Sequence, residues 1–280
     1  MNGTGKKIGK ICALFVLVLM TPALAAAAGA APVLRMAAAT SADNTGLLYY
    51  LAPIFLADEG IELQWVSVGT GRALEYGRNG DVDIVLTHDP VAEKSFIDEE
   101  FGVEPREVMY NDFVLIGPAS DPAEIKGLSV NEAFAVIASK SVPFVSRADQ
   151  SGTHMAEMRV WSAAGLDDPD GETWYIRTGQ GMLDTINVAG ESQCYVFTDR
   201  STFIAFETNY RGNPPLVILA EGGETLKNQY SVIPVNPAKH DNVNFELARA
   251  FSEWLASPKA QEDIANFRLE EKQLFFPNAD

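Results

Sequence analysis

Cysteine is scarce: the 280 residues hold two, Cys12 and Cys194. Cys12 lies in a segment that reads as a leader, so the mature chain keeps Cys194 alone and has no intrachain disulfide. The fold must then be held by its core, which about 250 residues allow. Cys194 sits in the strand-like run Cys194-Tyr195-Val196-Phe197 and reads as a small buried hydrophobe. Positive charge is scarce as well: 21 Lys and Arg stand against 38 Asp and Glu, a net charge of −17. Without Lys6, Lys7 and Lys10 it becomes about −20. So acidic a surface argues against nucleic acid and anionic lipid as partners. Histidine is rare: His88, His154 and His240 are scattered, with no metal-ligand spacing. No G-x-S-x-G elbow, H-E-x-x-H or G-x-x-x-x-G-K-[ST] occurs, so the common hydrolase, zinc-protease and P-loop signatures are missing. Beyond the first residues no apolar run is long enough to span a bilayer.

What is present begins with a secretory signal peptide, residues 1–30. Lys6, Lys7 and Lys10 form its basic start, Ile11 to Met20 its apolar core, and the alanines near 25–31 its cleavage region. The apolar core is too short for a stable transmembrane helix, and Cys12 stands at its start and not at the cleavage point, so no lipid attachment is expected. The expectation is a soluble exported chain.

Strand and helix patterns alternate from Val33 onward, which predicts an α/β fold with largely parallel sheets. Val33 to Ala39, Ile61 to Val68, Asp81 to Thr87 and Val108 to Gly117 read as strands. Leu47 to Gly60, Ala73 to Gly77 and Pro90 to Phe101 read as helices. A helix over Asn131 to Ser139, with Asn131 as its cap, leads to the run Pro143-Phe144-Val145. The length suits two lobes, with the strands Val108–Gly117 and Tyr230–Val235 as crossings between them.

Four strand-to-helix turns carry small or hydroxyl residues: Thr40-Ser41, Gly69-Thr70, Ser151-Gly152-Thr153 and Thr178-Gly179-Gln180-Gly181. In open α/β sheets ligands bind beyond the carboxyl ends of the strands, where such turns lie. A helix N-terminus offers free amides and the positive end of a dipole, Gly permits close approach, and Ser or Thr donates without adding charge. The third turn adds Arg147, with Asp149 placed to hold its guanidinium. The pattern points to a small oxyanion, against ordinary helix capping as the plainer reading. A Ser151–His154 nucleophile–base pair, as in a secreted serine hydrolase, is a third reading with no orienting carboxylate to support it.

The stretches SRADQSGTH, YIRTGQGM, VMYNDFVLIGP and VGTGRALEYGRNGDVDIVLTHDP together resemble the periplasmic tungstate-binding proteins of ABC importers. ATSADNTGLL is similar to that family's threonine-rich first loop, although Ala38 and Ala39 stand where it has two threonines. The resemblance covers nearly the whole mature chain. It implies a two-lobed type II periplasmic binding protein fold, each lobe a mainly parallel sheet flanked by helices, with the anion in the cleft. The expected boundaries are 31–112 and 229–280 for the first lobe and 113–228 for the second. The implied ligand is tungstate or molybdate, with no cofactor, no protein-ligated metal and no catalysis. The implied setting is the periplasm, with a monomeric protein serving a membrane permease and its ATPase. Carried over by motif, the ligand-binding residues are Thr40, Ser41, Thr70, Arg147, Ser151, Gly152 and Thr153. Thr45, Gly69, Ser146, Gly181 and Met182 are weaker candidates. Arg-x-x-x-Ser-Gly-Thr is also shared with phosphate-binding proteins, so phosphate is the alternative ligand. Asp89 bears on that choice. Phosphate carries a proton near pH 7 and can use a carboxylate acceptor, whereas tungstate offers acceptors only. As the residue before Pro90, Asp89 also suits a helix cap.

Overall fold

The computed structural model describes residues 1, 3, 30–166, 168–211 and 213–279. The signal peptide expected over 1–30 therefore lies, apart from its edges, outside the described residues. One compact unit begins at Ala31. In chain order it runs β1 (Val33–Ala39), α1 (Thr40–Asn44), α2 (Leu47–Glu59), β2 (Glu62–Val68), α3 (Thr70–Asn79), β3 (Ile84–Thr87), α4 (Pro90–Asp98) and β4 (Arg106–Pro118). There follow α5 (Val130–Lys140), β5 (Phe144–Ser146), α6 (Gly152–Ala163), β6 (Tyr175–Arg177), α7 (Met182–Ser192), β7 (Tyr195–Asp199), α8 (Arg200–Asn209) and β8 (Leu216–Ala220). The chain closes with β9 (Lys227–Pro234), α9 (Phe245–Leu255), α10 (Pro258–Asn266) and three two-residue strands.

The sheet order is β2-β1-β3-β9-β4-β7-β5-β6, with β8 also on β4. β1 is parallel to β2 and β3, and β5 is parallel to β6 and β7. The two parallel groups are joined through β4 and β9, which run antiparallel to their neighbours. β4 changes partners midway: Arg106 to Asp112 pair with β9, and Phe113 onward pairs with β7 and β8. The fold is thus two-lobed, and the long strand read from Val108 to Gly117 is shared by both lobes.

Each parallel group is covered on both faces, so its inner strands β3, β5 and β7 are buried throughout, while the edge strands β2 and β6 keep exposed positions. Ile84 to Thr87 is buried throughout. One core joins Leu48, Phe55, Val232 and Phe251, and a smaller one joins Leu74, Val85 and Phe96 on the opposite face. In the second lobe Phe134, Phe144, Trp161 and Phe197 form one core, and Val114, Val145, Ile186 and Phe206 the other. Fully burying a side chain such as Phe134 contributes about 1.5–3 kcal/mol. Cys194 belongs to the last of these cores, is 2 % exposed, and has its thiol pushed up by burial.

Two local readings differ. The cap of α5 is Ser129, in a capping box with Glu132, and not Asn131. The box satisfies two helix-end groups at once, which a lone Asn131 would not. α3 is longer than Ala73–Gly77 because Gly77 is tolerated by packing: a Cβ there would lie 2.8 Å from the Phe96 ring.

Candidate oxyanion site

The site lies where helices begin at the carboxyl ends of strands in both lobes. Ser151 N-caps α6, its Oγ accepting from the His154 amide at 3.4 Å. The loop leading to it is tightly organised. Ala148 and Gln150 hold left-handed φ values of +47° and +60°, a strained backbone for non-glycine residues. Side chains satisfy its amides: Ala148 N donates to Ser146 Oγ, Gln150 N to His154 Nδ1, and Ser151 N to Asp149 Oδ1. The Gly152 and Thr153 amides have no partner among the described residues, so the start of α6 keeps two donors.

Arg147 is 3 % exposed. Its Nε and Nη2 donate to Asp149 Oδ2 at 3.2 and 2.6 Å. The expected role of Asp149 as holder of the guanidinium is what the geometry shows. Burial pushes the Asp149 carboxyl up, but the Arg147 charge and hydrogen bonds from Ser151 and Arg147 outweigh it and hold the group below its usual range. The remaining nitrogen, Nη1, faces Thr40 Oγ1 of the other lobe at 3.5 Å.

Opposite, α3 starts at Thr70, which is 1 % exposed, and its Oγ1 is buried with no hydrogen-bond partner. A buried, unpaired hydroxyl costs roughly 1–3 kcal/mol, and nothing among the described residues offsets that cost at Thr70. Gly69, just before it, lies against the second lobe: a Cβ there would sit 3.2 Å from Ser151 Cβ. Gly152 makes an even closer approach, since its Cβ would be 2.7 Å from Cε1 of His88, at the end of β3. The starts of α3 and α6 therefore lie close together, with Gly69 against Ser151 and Gly152 against the His88 ring.

The other candidates divide by what their polar groups already do. Ser41 Oγ lies 2.7 Å from Tyr230 Oη. That phenol also accepts from Asn228 Nδ2 at 3.2 Å, and either hydroxyl of the Ser41–Tyr230 pair can be the donor. The Thr45 hydroxyl donates to Ser41 O at 2.8 Å, and Ser146 Oγ donates to Glu157 at 2.9 Å, so both are used within the protein. Met182 packs beside Val145 and Ile186, leaving only its backbone amide for the site. Gly181 caps α7 without a side-chain bond. The fourth turn is tied to the third, with Thr178 N on Ser146 O at 3.0 Å and Gly179 N on Arg147 O at 2.8 Å. Asp89 is the N-cap of α4: Oδ1 accepts from Val91 N and Ala92 N and lies 3.4 Å from Arg159 Nη1 of α6. The His154 ring is on Gln150 N and not on Ser151 Oγ, so no nucleophile–base hydrogen bond exists here.

Behind these residues stands a buried polar chain that the sequence reading did not assemble. Asp199 accepts from Asn111 Nδ2, Asn111 Oδ1 accepts from Asn228 Nδ2, and Asn228 Oδ1 meets His88 Nδ1 at 2.9 Å. The available signal was polar residues within apolar strands, Asn111 in β4 and Asn228 in β9. Under the Arg147 loop, Glu157 receives Ser146, Trp161 and Tyr175 and is pushed up to about 7 by burial. Among the described residues no group of three His, Cys, Asp or Glu side chains could hold a metal ion, and no helix is long and apolar enough to cross a membrane.

The PBP superfamily domain matches residues 25–259. The chain therefore belongs to the PBP superfamily, in the two-lobed type II form described above. A tungstate-binding protein of Campylobacter jejuni is 43% identical over 85% of this chain and 88% of its own length. Among solved structures, the tungstate-binding protein from Desulfovibrio alaskensis has 55% identity and a TM-score of 0.78, covering 89% of this chain and all of that one. The structure of the tungstate ABC transporter from Geobacter sulfurreducens has 39% identity and a TM-score of 0.77, covering 85% of this chain and all of that one. Within the superfamily the chain is a member of the tungstate-binding protein family.

Proposed function

We propose that this chain is a solute-binding protein, and not an enzyme, which captures tungstate in the cleft and presents it to an ABC transporter permease and its ATPase. Molybdate, with the same shape and charge, is the nearest competitor. The mature protein works as a monomer in the periplasm, a setting that the signal peptide read from 1–30 supports. The lobes are 31–112 with 229–280, and 113–228, the boundary falling where β4 changes partners. The proposed ligands are Thr40, Ser41, Thr70, Arg147, Ser151, Gly152 and Thr153, with Gly69 allowing close approach and Gly181 and Met182 at the margin. Thr45 and Ser146 support the site through its backbone.

The observation that carries this reading is the buried Thr70 hydroxyl, which has no hydrogen-bond partner among the described residues and follows Gly69, the residue that lies against Ser151 at the α6 start. Tungstate is a fully deprotonated dianion with acceptors only, so it needs a site of donors. The two nearby carboxylates are committed to protein donors, Asp149 to Arg147 and Ser151, Asp89 to α4 and Arg159. Neither carboxylate is left free to accept the proton of hydrogen phosphate, so the carboxylate contact that would favour phosphate is missing. Closure follows because donors from both lobes reach the ligand only when the lobes meet.

Calorimetric titration of the mature protein tests the assignment. Tungstate binds strongly, molybdate competes, and sulfate and phosphate give no heat. Tight phosphate binding with silence for tungstate would sink it. Thr70→Val should leave the ligand-free protein as stable as before, or more so, since an unpaired buried hydroxyl is removed. The same change should weaken tungstate by about 1–3 kcal/mol. Unchanged affinity in that variant would remove Thr70 from the site.

A further inference from the structure

His88 is not among the residues assigned to the ligand above, yet its ring lies at the meeting point of the two lobes. It follows the last residue of β3, is 5 % exposed, and stacks on Tyr230 with centroids 4.9 Å apart and planes 24° apart. It also meets the first residue of α6: a Cβ built on Gly152 would lie 2.7 Å from His88 Cε1 and 3.0 Å from Nε2. The ring cannot turn freely between these two walls.

The buried chain behind it fixes which nitrogen carries hydrogen. Asp199 can only accept, so Asn111 presents its Nδ2, at 3.2 Å from Asp199 Oδ1 and 2.8 Å from Ser201 Oγ. Asn111 Oδ1 is then an acceptor, which orients Asn228 with Nδ2 toward it at 2.7 Å. Asn228 Oδ1 is left to accept, and the hydrogen between it and His88 belongs to Nδ1. Nε2 has no hydrogen-bond partner among the described residues. In the neutral ring it therefore bears a lone pair beside the free amide end of α6.

The charged groups that bear on the ring are Asp199, Asp89 and Arg147. Burial lowers its pKa most, Asp199 and Asp89 act to raise it, and Arg147 acts to lower it further, leaving it below the usual histidine value. Tyr230 is held well above its ordinary value and stays neutral. Glu93 lies behind the same turn, bound to Thr87 Oγ1 and the Asp89 amide. The ligand-free site thus holds a neutral imidazole with an acceptor exposed to the place where a dianion is to sit.

We propose that His88 is a further ligand-contacting residue, which takes a proton from solvent onto Nε2 as the dianion enters and donates that N–H to it. The inference rests on the oxyanion reading above. Two acceptors face to face repel, and tungstate brings no proton of its own. A dianion a few ångströms away stabilises the imidazolium, so the proton and the ligand bind together. By linkage, affinity rises as pH falls, by up to about tenfold per unit between the pKa of the free and the bound ring. The site then separates permanent dianions from ligands that carry a proton by the proton count of binding.

Isothermal titration with tungstate at pH 7.5, in buffers of different ionisation heat, reads that count directly. The wild-type protein should take up about one proton per tungstate bound, with its Kd tightening by up to about tenfold from pH 8 to pH 7. His88→Gln carries a permanent neutral N–H at the corresponding place. It should bind with no proton uptake and a flat pH profile. Tungstate binding by wild type with no proton uptake overturns this inference alone, and so does proton uptake that persists in His88→Gln, which would assign it to Glu93 or Glu157. Nitrogen NMR of the wild-type His88 ring gives the same answer without a variant: Nε2 should gain a proton on tungstate addition, and an unprotonated Nε2 in the complex overturns the proposal. Failure of tungstate to bind at all removes the oxyanion reading and this inference with it.

Discussion

Replacing Arg147 by Gln should leave a folded protein that no longer retains tungstate at micromolar concentration. The guanidinium is almost fully buried, and two of its nitrogens are fixed on Asp149, so Nη1 is held in place beside Thr40 before any ligand arrives. Such preorganisation means that little freedom is lost on binding. Removing one partner of a desolvated, charge-assisted contact costs about 2–5 kcal/mol, or roughly 30- to several-thousand-fold in Kd. In Arg147→Gln the loss is at the upper end, because Asp149 then stands uncompensated next to an anion. Calorimetry gives the affinity, and circular dichroism with thermal melting shows whether the fold persists. A folded variant with near-normal affinity would take Arg147 out of the site. Arg147→Lys keeps the charge but not the forked geometry, and should recover only part of the binding.

The second large effect is expected at Gly152. An added methyl group would lie 2.7 Å from His88 Cε1, closer than real contacts allow. His88 cannot give way, being held by Asn228 on one edge and by Tyr230 on one face. The clash exists only where α6 meets β3, so separating the lobes relieves it. Gly152→Ala should therefore leave each lobe intact and shift the equilibrium toward the open form. Overpacking of this kind costs about 1–3 kcal/mol, which weakens apparent affinity by roughly 5- to 150-fold. Small-angle scattering should show the variant staying more extended than wild type at a tungstate concentration that closes the latter. Equal compaction and equal affinity in the two proteins would mean that Gly152 is not a point of closure.

Much of the fold was legible because its cause is local. Val33 to Ala39 is a strand in both readings, since a run that is apolar except for Arg35, inside a parallel group, needs no partner to be recognised. Ser151 caps α6 as its position before Gly152 and Thr153 predicts. Arg147 and Asp149, two residues apart, pair as their charges predict. The errors are also local in origin. Local pattern favours Asn131 as a cap, because the Ser129–Glu132 box competes with it only through side-chain geometry. α3 was read short because Gly71 and Gly77 weaken its helix signal, while packing against Phe96 requires a residue without a side chain at Gly77.

The candidate site was legible as a list of donors, not as an arrangement. Motif resemblance offers Thr40 and Thr70 as ligand-binding hydroxyls and Thr45 and Ser146 as weaker candidates. The structure separates them by what each already binds: Thr45 and Ser146 are consumed inside the protein, while Thr70 has no partner. The chain from Asp199 through Asn111 and Asn228 to His88 joins residues up to 140 positions apart. No spacing rule could assemble it, because its members meet only where β4 and β9 carry the chain from one lobe to the other.

By itself the sequence determined the α/β class, pointed to helix starts with Arg147 as the charged donor of a candidate anion site, and carried a resemblance specific enough to name the family. These depend on residue type and on neighbours a few positions away, where propensity, capping and charge act. Only the tertiary structure decided which hydroxyls remain free to donate, that Asp89 and Asp149 are spent on protein donors, and that His88 stands against Gly152 with one nitrogen unpartnered. Hydrogen-bond saturation is a property of everything packed around an atom, and the packing around this site comes from both ends of the chain.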